Sequence, residues 1–499
     1  MFRRTSLAAA AAAAVLVLSA CTGTPAATPT ATGTLDPDAA LTVGLVLEPD
    51  NLDIRHTSGA ALEQVLIDNV YQGLVSRTQD SEIVPAIASD FEVSDDGLTY
   101  TFTLNEGIVF HNGEPLTVED VVTSLTQVKD DETIVGHGDF AGVASIVSPD
   151  PATVVITLIE PNQNFLFTLT TPAGLVFKAG DPTDLKTDAN GTGPFALERW
   201  SQGDSITFVR SDAYWGEAPQ VAEVVFQYIP DFTAGVNAAL DGSLDVLTAV
   251  DPNLASQLAD SGFALTKGKT TDKGTLAFNN TKAPLDDVRV REALRLAVDH
   301  DALVEALGGG STLYGPIPRL DPGYEDLSDV ISYDPERAKE LLAEAGVEDL
   351  ELTLTIPSFY GTTVPQVLVS DYNDIGVTLT VESVEFATWL QDVYTNKDYE
   401  LSFVLHVEPR DFGNFANPDY YFGYDNAEVQ ALYAEALTTV DPDESADLLA
   451  KAARIVSEDH AADWLYNGQT ITALAPGISG FPVDSINSRI DLAEVTVSR

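Results

Sequence analysis

The order of apolar and polar positions marks out short elements along nearly the whole chain. Leu41-Thr42-Val43-Gly44-Leu45-Val46-Leu47 is an apolar run of strand type, closed by Pro49 and an acidic turn. Leu62, Val65, Leu66 and Val70 share one face at helical spacing and predict a helix over 62–71, with Gly73 as its cap. The segment 98–104 alternates with the period of a strand, and Asp96-Gly97 before it predicts a two-residue hairpin turn. Thr117 with Asp120 is a capping pattern, and Val118, Val121, Val122 and Leu125 supply the buried stripe of the helix it starts. Val290, Leu294, Ala297 and Val298 repeat that spacing and leave Arg289, Arg291 and Arg295 for solvent or salt bridges. Asp334-Pro335 opens another helix, in which Ala338, Leu341, Leu342 and Ala345 face a core and Gly346 is the cap.

The first 21 residues obey different rules. Arg3 and Arg4 precede an apolar block over 7–18, which closes on Leu18-Ser19-Ala20-Cys21. A basic start, a short apolar core and small residues at the end mark an export signal. The block is short of the ~20 residues a membrane-spanning helix needs. Its closing tetrapeptide resembles the lipobox of bacterial lipoproteins, which implies that Cys21 is lipidated and becomes the first mature residue. Cys21 is also the only cysteine. Arg3-Arg4 has the pair of a twin-arginine signal, but the residues after the pair fit that pattern poorly. Residues 22–38 are mostly Thr, Pro, Ala and Gly, too poor in large apolar groups to fold. The segment 22–40 therefore reads as a flexible tether, holding a body to the outer face of the cell membrane.

Composition narrows the function. A chain of 499 residues with 44% hydrophobic content can bury large cores and should form at least two lobes. No second cysteine is present for a disulfide, so burial and hydrogen bonding must hold the fold. The 77 acidic against 25 basic residues give a formal charge of −52, which repels nucleic acid and anionic lipid headgroups. The acidity reads as a strongly solvated surface.

A collinear series of segments resembles one family. Leu52-Asp53, Gly73-Leu74-Val75, Pro85-Ala86-Ile87-Ala88, the stretch 96–102 and Phe110-His111-Asn112-Gly113-Glu114-Pro115 come first. Gly191-Thr192-Gly193-Pro194-Phe195 with Trp200, Asp212-Ala213-Tyr214-Trp215, Gly242-Ser243-Leu244-Asp245-Val246, 287–294 and 333–346 follow in order. The series is similar to solute-binding protein family 5, the extracytoplasmic receptors that serve ABC importers of dipeptides, oligopeptides and nickel. The resemblance implies an α/β, two-lobed periplasmic-binding-protein-like fold of type II, a Venus flytrap with an extra subdomain in the first lobe. On that reading 41–80, 186–278 and 468–499 form the first lobe, 81–185 the inserted subdomain and 279–467 the second lobe. The chain would cross out near Phe278-Asn279-Asn280 and return near Tyr466-Asn467-Gly468.

Catalytic motifs are missing from the sequence: there is no His-Glu-x-x-His, Gly-x-Ser-x-Gly or Ser-x-x-Lys. The stretch 262–270 ends Gly268-Lys269-Thr270, but its glycines are spaced one residue too far apart for a P-loop. Gly191 and Gly193 suit a tight turn before a strand. The six histidines (His56, His111, His137, His300, His406, His460) show no repeated short spacing of the kind metal sites use. No enzyme activity, cofactor or metal is expected.

The resemblance instead implies a ligand cleft between the lobes, closing by a hinge. Main-chain hydrogen bonds would hold an extended peptide, and charges would meet its two ends. In this family the ligand's amino group meets an aspartate after a strand end, and the equivalent stretch here is 399–412. Glu408 or Asp411 is then the ammonium partner, and Arg410 is a candidate for a carboxylate. His406 replaces the family's tryptophan, Glu48 matches a cleft-lining segment, and Trp389 and Tyr420-Tyr421-Phe422 are candidate walls. Each also reads as ordinary turn or core. The expected function is capture of short peptides for an ABC permease and its ATPase subunits by a monomer. Open alternatives are a nickel chelate, an opine or an oligosaccharide as solute, an extracytoplasmic hydrolase using a carboxylate pair, or a surface protein with a vestigial cleft.

Overall fold

The computed structural model describes residues 33–347 and 349–499. The export signal, Cys21 and the tether up to residue 32 lie outside the described residues. The end of the expected tether is built into the body. Thr34 N donates to Arg499 O at 3.1 Å, Asp36 N donates to Val497 O at 2.9 Å, and Ala39 is buried. Backbone pairing with the C-terminal residues holds a stretch whose side chains alone would not.

Leu41, Val43 and Leu45 are fully buried on the strand Ala40–Leu45. That strand pairs in parallel with Glu223–Tyr228 on one side and Val246–Leu247 on the other, so it lies inside the sheet, and Leu41, Val43 and Leu45 share one covered face. It lies inside a ten-stranded sheet that passes through both lobes. The order is Thr378–Val384, Glu351–Pro357, Leu401–His406, Ala264–Phe278, Ala462–Leu474, Val246–Leu247, Ala40–Leu45, Glu223–Tyr228, Ser205–Arg210 and Phe195–Ser201. A core built from 39–71, 175–228 and 478–497 fills the first lobe, and cores drawn from 276–465 fill the second. A four-stranded antiparallel sheet (Ala88–Val93, Thr99–Leu104, Thr153–Leu158, Val143–Asp150) has its own core beneath the helix Val118–Asp130.

The two long strands that join the lobes pair in two sections. Ala264 to Lys269 face Leu474 to Gln469, and pairing resumes at Lys273 opposite Asn467. The break therefore falls at Thr270-Thr271-Asp272 and Gly468. Phe278, where the outward crossing was expected, is fully buried in the second lobe and pairs with Leu401. Asn467 repairs the break, because its Nδ2 donates to Thr270 O at 3.0 Å and to Asp272 O at 2.9 Å. Buried carbonyls that lose ladder partners need such a donor.

Several local expectations change for physical reasons. The helix at 62–71 is observed as Ala60–Leu66, and the chain turns at Asp68 with φ +64°. Gly73 is not its cap; a Cβ there would lie 2.9 Å from the carbonyls of Leu169 and Gly174. The loop after Val93 is longer than two residues. The Asp96 carboxylate accepts from Ser94 Oγ and Leu98 N, and Ser94 Oγ accepts from Thr99 N, which locks the wider loop. The Thr117–Asp120 capping box forms, with Thr117 N donating to Asp120 Oδ2 at 2.7 Å. Gly191 and Gly193 are required by close approach, since Cβ atoms would sit 1.8 Å from Val70 O and 2.4 Å from Asn69 O.

The arginines at 289, 291 and 295 part company. Arg289 is exposed and paired with Asp287. Arg291 is buried and donates to the carbonyls of Leu285, Asp459 and His460. Arg295 has no exposed surface: its Nε donates to Asp463 Oδ1 at 3.2 Å, which His300 Nε2 also meets at 3.0 Å. Removing one member of a buried pair strands the other charge. Arg295→Ala should therefore cost about 3–5 kcal/mol in denaturant unfolding, while Arg289→Ala should stay within about 1 kcal/mol. Similar losses for the two variants would contradict this assignment.

Candidate ligand cavity between the lobes

The strand Leu401–His406 ends in a short loop, 407–410, before a 3-10 turn over Asp411–Asn414. Arg410 occupies the left-handed region at φ +56°, an uncommon position for a side-chain-bearing residue. Its N–H donates to Asp321 Oδ2 at 2.6 Å, which fixes the turn. Its guanidinium then reaches away from the second lobe. Nη1 donates to Asn164 Oδ1 at 3.2 Å, and the group lies 4.5 Å above the Phe167 ring. Both partners belong to the chain around the four-stranded sheet. Gln163 reinforces the crossing: its N donates to Leu437 O at 2.9 Å and its Nε2 to Thr439 O at 2.6 Å.

These contacts enclose a cavity of about 380 Å³. Ile83, Val93, Tyr100 and Leu166 line it from one side; Ile317, Phe412, Tyr433, Leu437 and Leu449 line it from the other. Asp321, Arg410 and Asp411 supply charge at one end. Behind them lies Lys273, the first residue after the break in the long strand and only 2% exposed. Its ammonium donates to Thr271 O at 3.2 Å and to Glu408 O at 3.1 Å, and meets Asp411 Oδ1 at 3.1 Å.

Burial governs the titration of this group. The Asp411 carboxyl is pushed up by burial against the pull of Lys273. Burial raises Asp321 to about 6, opposed by Lys273 and by the Arg410 N–H. His406 is driven down to about 4 by burial and by Lys273, so its ring is neutral at pH 7. That ring stacks on Tyr421 and shares a hydrogen bond between Nε2 and the Tyr421 hydroxyl at 2.9 Å.

The structure brings some of the candidate residues together and disperses others. Arg410 and Asp411 line the cavity, and His406 Nδ1 lies 3.9 Å from Asp411 behind it. Glu408 contributes its carbonyl to Lys273 while its side chain is exposed. Glu48 accepts from Gly203 N at 2.7 Å in the first lobe and does not line the cavity. Trp389 is buried, donates to Ser402 Oγ at 2.9 Å and stacks on Phe386, so it is core. Tyr421 and Phe422 are buried in the same core. His406, Glu408 and Asp411 place ligand atoms within 4.8 Å of one another, but the Lys273 ammonium on Asp411 opposes a metal cation there. Lys273 and Asp321 escaped the sequence reading. Nothing in their spacing separates them from neighbouring turn and strand charges.

Residues 82–431 match the family described as Bacterial extracellular solute-binding proteins, family 5 Middle. Heme-binding protein A of Haemophilus influenzae is 29% identical over 466 residues, 83% of this chain and 84% of that protein. The Dipeptide-binding protein of Escherichia coli is 30% identical over 404 residues, 73% of this chain and 74% of that protein. Among solved structures, the ABC transporter substrate-binding protein CtaP from Listeria monocytogenes superposes with a TM-score of 0.84 at 20% identity, covering 93% of this chain and 100% of that one.

The raised Asp321 carboxyl has a consequence for stability. The folded chain binds that proton more tightly than the unfolded chain, whose carboxyl titrates at ~3.9. Its contribution is therefore greatest at low pH and is lost as pH rises from about 4 to about 6. Asp321→Asn keeps an acceptor for the Arg410 N–H and removes the buried charge. Thermal unfolding should show a higher Tm than wild type at pH 7, with the gap closing toward pH 4. A variant less stable than wild type at pH 7 contradicts the assignment.

Proposed function

The chain belongs to the bacterial extracellular solute-binding proteins of family 5, and we propose that it captures short peptides between its lobes and hands them unaltered to an ABC permease. It is a substrate-binding protein, not an enzyme. The observation that carries the peptide reading is the cavity, whose apolar walls come from two bodies and whose charge is confined to one cluster, Asp321, Arg410 and Asp411. Its size falls in the range of roughly 300–1,000 Å³ usual for small-molecule sites. Apolar walls accept side chains without choosing among them, while a guanidinium such as that of Arg410 suits a carboxylate end. The Escherichia coli relative's name supports a dipeptide; the Haemophilus influenzae relative is named for haem, so fold alone does not select the guest. A cavity this small favours the smaller guest.

Delivery depends on where the protein is held. Among the described residues no helix is long and apolar enough to cross a membrane. The sequence around Cys21 supports a lipid anchor on the outer face of the cell membrane, from which a monomer can dock on a permease and its ATPase subunits. Titration calorimetry with a dipeptide panel, followed by mass spectrometry of the recovered guest, tests the reading. One guest per chain, recovered intact, is expected. Leu437→Trp, which fills the cavity from its wall, should weaken binding at least tenfold with an unchanged Tm. A panel that gives no binding heat, or a guest recovered cleaved, would overturn the proposal.

A further inference from the structure

We infer that the cavity takes an apolar guest bearing a carboxylate, with its amino end acylated or absent, because Lys273 already fills the seat that a guest ammonium would need on Asp411. This rests on the reading of the interlobe cavity as the ligand site. Two carboxylates border that cavity, and each is engaged. Asp321 accepts the backbone N–H of Arg410 at 2.6 Å. Asp411 holds the Lys273 ammonium at 3.1 Å, and that ammonium has its three donors placed against Asp411, Thr271 O and Glu408 O. All three donors of that ammonium are in use, and it neutralises the charge of Asp411.

Lys273 cannot make room. Its backbone is fixed in the sheet between His406 and Asn467, and it has only 2% exposure through which to reach water. A guest ammonium at Asp411 would leave a second buried cation without its counter-charge, a situation that costs more than the new contact returns. The opposite charge is handled differently. Among the described residues no carboxylate oxygen comes within ion-pair distance of the Arg410 guanidinium, which meets Asn164 Oδ1 and the Phe167 ring instead. In a chain with 77 acidic and 25 basic residues, an arginine at a cavity wall with no acid in ion-pair contact is conspicuous; Asp321 acts on its charge only at longer range and bonds its backbone N–H instead. Asp411 and Lys273 cancel, and Asp321 holds its proton up to about pH 6. Below about pH 6 that end of the cavity thus offers a spare cation and no spare anion; above it Asp321 ionises but stays bonded to the Arg410 N–H, which leaves the guanidinium donors for a carboxylate on an apolar body.

Calorimetry on the purified protein with Leu-Leu, N-acetyl-Leu-Leu and N-acetyl-Leu-Leu amide distinguishes the possibilities. The acetylated dipeptide should bind as tightly as Leu-Leu or more tightly, and its amide should bind at least tenfold more weakly. Lys273→Met frees Asp411 and should turn the preference toward Leu-Leu. Loss of binding on acetylation in the wild type overturns the inference and leaves the peptide reading standing. If none of the three binds to folded protein, the peptide reading falls and this inference falls with it.

Discussion

The pairing of two long strands, Ala264–Phe278 and Ala462–Leu474, is the constraint on which the rest of the architecture depends. Strands shared by two lobes make one sheet of two bodies, so neither lobe can move without bending that ladder. The ladder is interrupted at Thr270-Thr271-Asp272 and Gly468, where bending it costs the fewest hydrogen bonds. Asn467 bonds the carbonyls on either side and keeps the break from exposing unpaired backbone. The same break sends Lys273 inward, toward the loop that carries Arg410 and Asp411. Hinge and charged end of the cavity are therefore one piece of covalent structure.

Charge is distributed by scarcity. A body with formal charge −52 has acids to spare for its surface, and they cost little there because water screens them. Some of the few cations are used where burial is deepest. Arg295 and Arg291 tie strand and helix ends inside the second lobe; Arg489 ties Asp68 and Thr170 in the first. Lys273 does the same beside the break in the long strand, where it ties the loop carrying Glu408 and Asp411. Each of these makes several bonds to carbonyls, and all but Arg291 also meet an acid, which is what lets a buried cation be tolerated.

Much of this fold was legible in pattern, and little of the site was. Helical spacing located the elements now observed as Val118–Asp130, Val288–Leu296 and Pro335–Glu344, because their stripes are set by a core that repeats every turn. Where a helix ends is decided by neighbours instead: Ala60–Leu66 stops early because the next residues must meet the backbone around Gly191 and Gly193. The same long-range approach explains why those two glycines looked like a turn. Arg291 and Arg295 sat on what reads as a polar face, and only the acid and carbonyls brought from 459–463 make that face interior. Asp411 and Arg410 were visible as charges after a strand. Their partners Lys273 and Asp321 lie more than a hundred and about ninety residues away along the chain, where no local pattern points to them.

Arg410 joins these threads, because it is at once a strained residue, a wall of the cavity and a bridge across it. A left-handed backbone at a residue with a side chain costs on the order of 1–3 kcal/mol and persists only where surroundings over-determine it. Here Asp321 does so from below through one short bond, and Asn164 and Phe167 do so from across the gap. The second set of contacts exists only while the chain around the four-stranded sheet lies close to the loop that carries Arg410. On the proposed ligand reading, separating these walls would release Arg410 from Asn164 and Phe167 and leave Asp321 alone to hold its backbone. A guest that engages the guanidinium replaces part of what opening removes, and one that does not leaves the bridge as it was. On the proposed ligand reading, affinity and closure would be coupled through Arg410 beside the Gln163 crossing, and the coupling would be larger for guests that place a negative group next to the guanidinium.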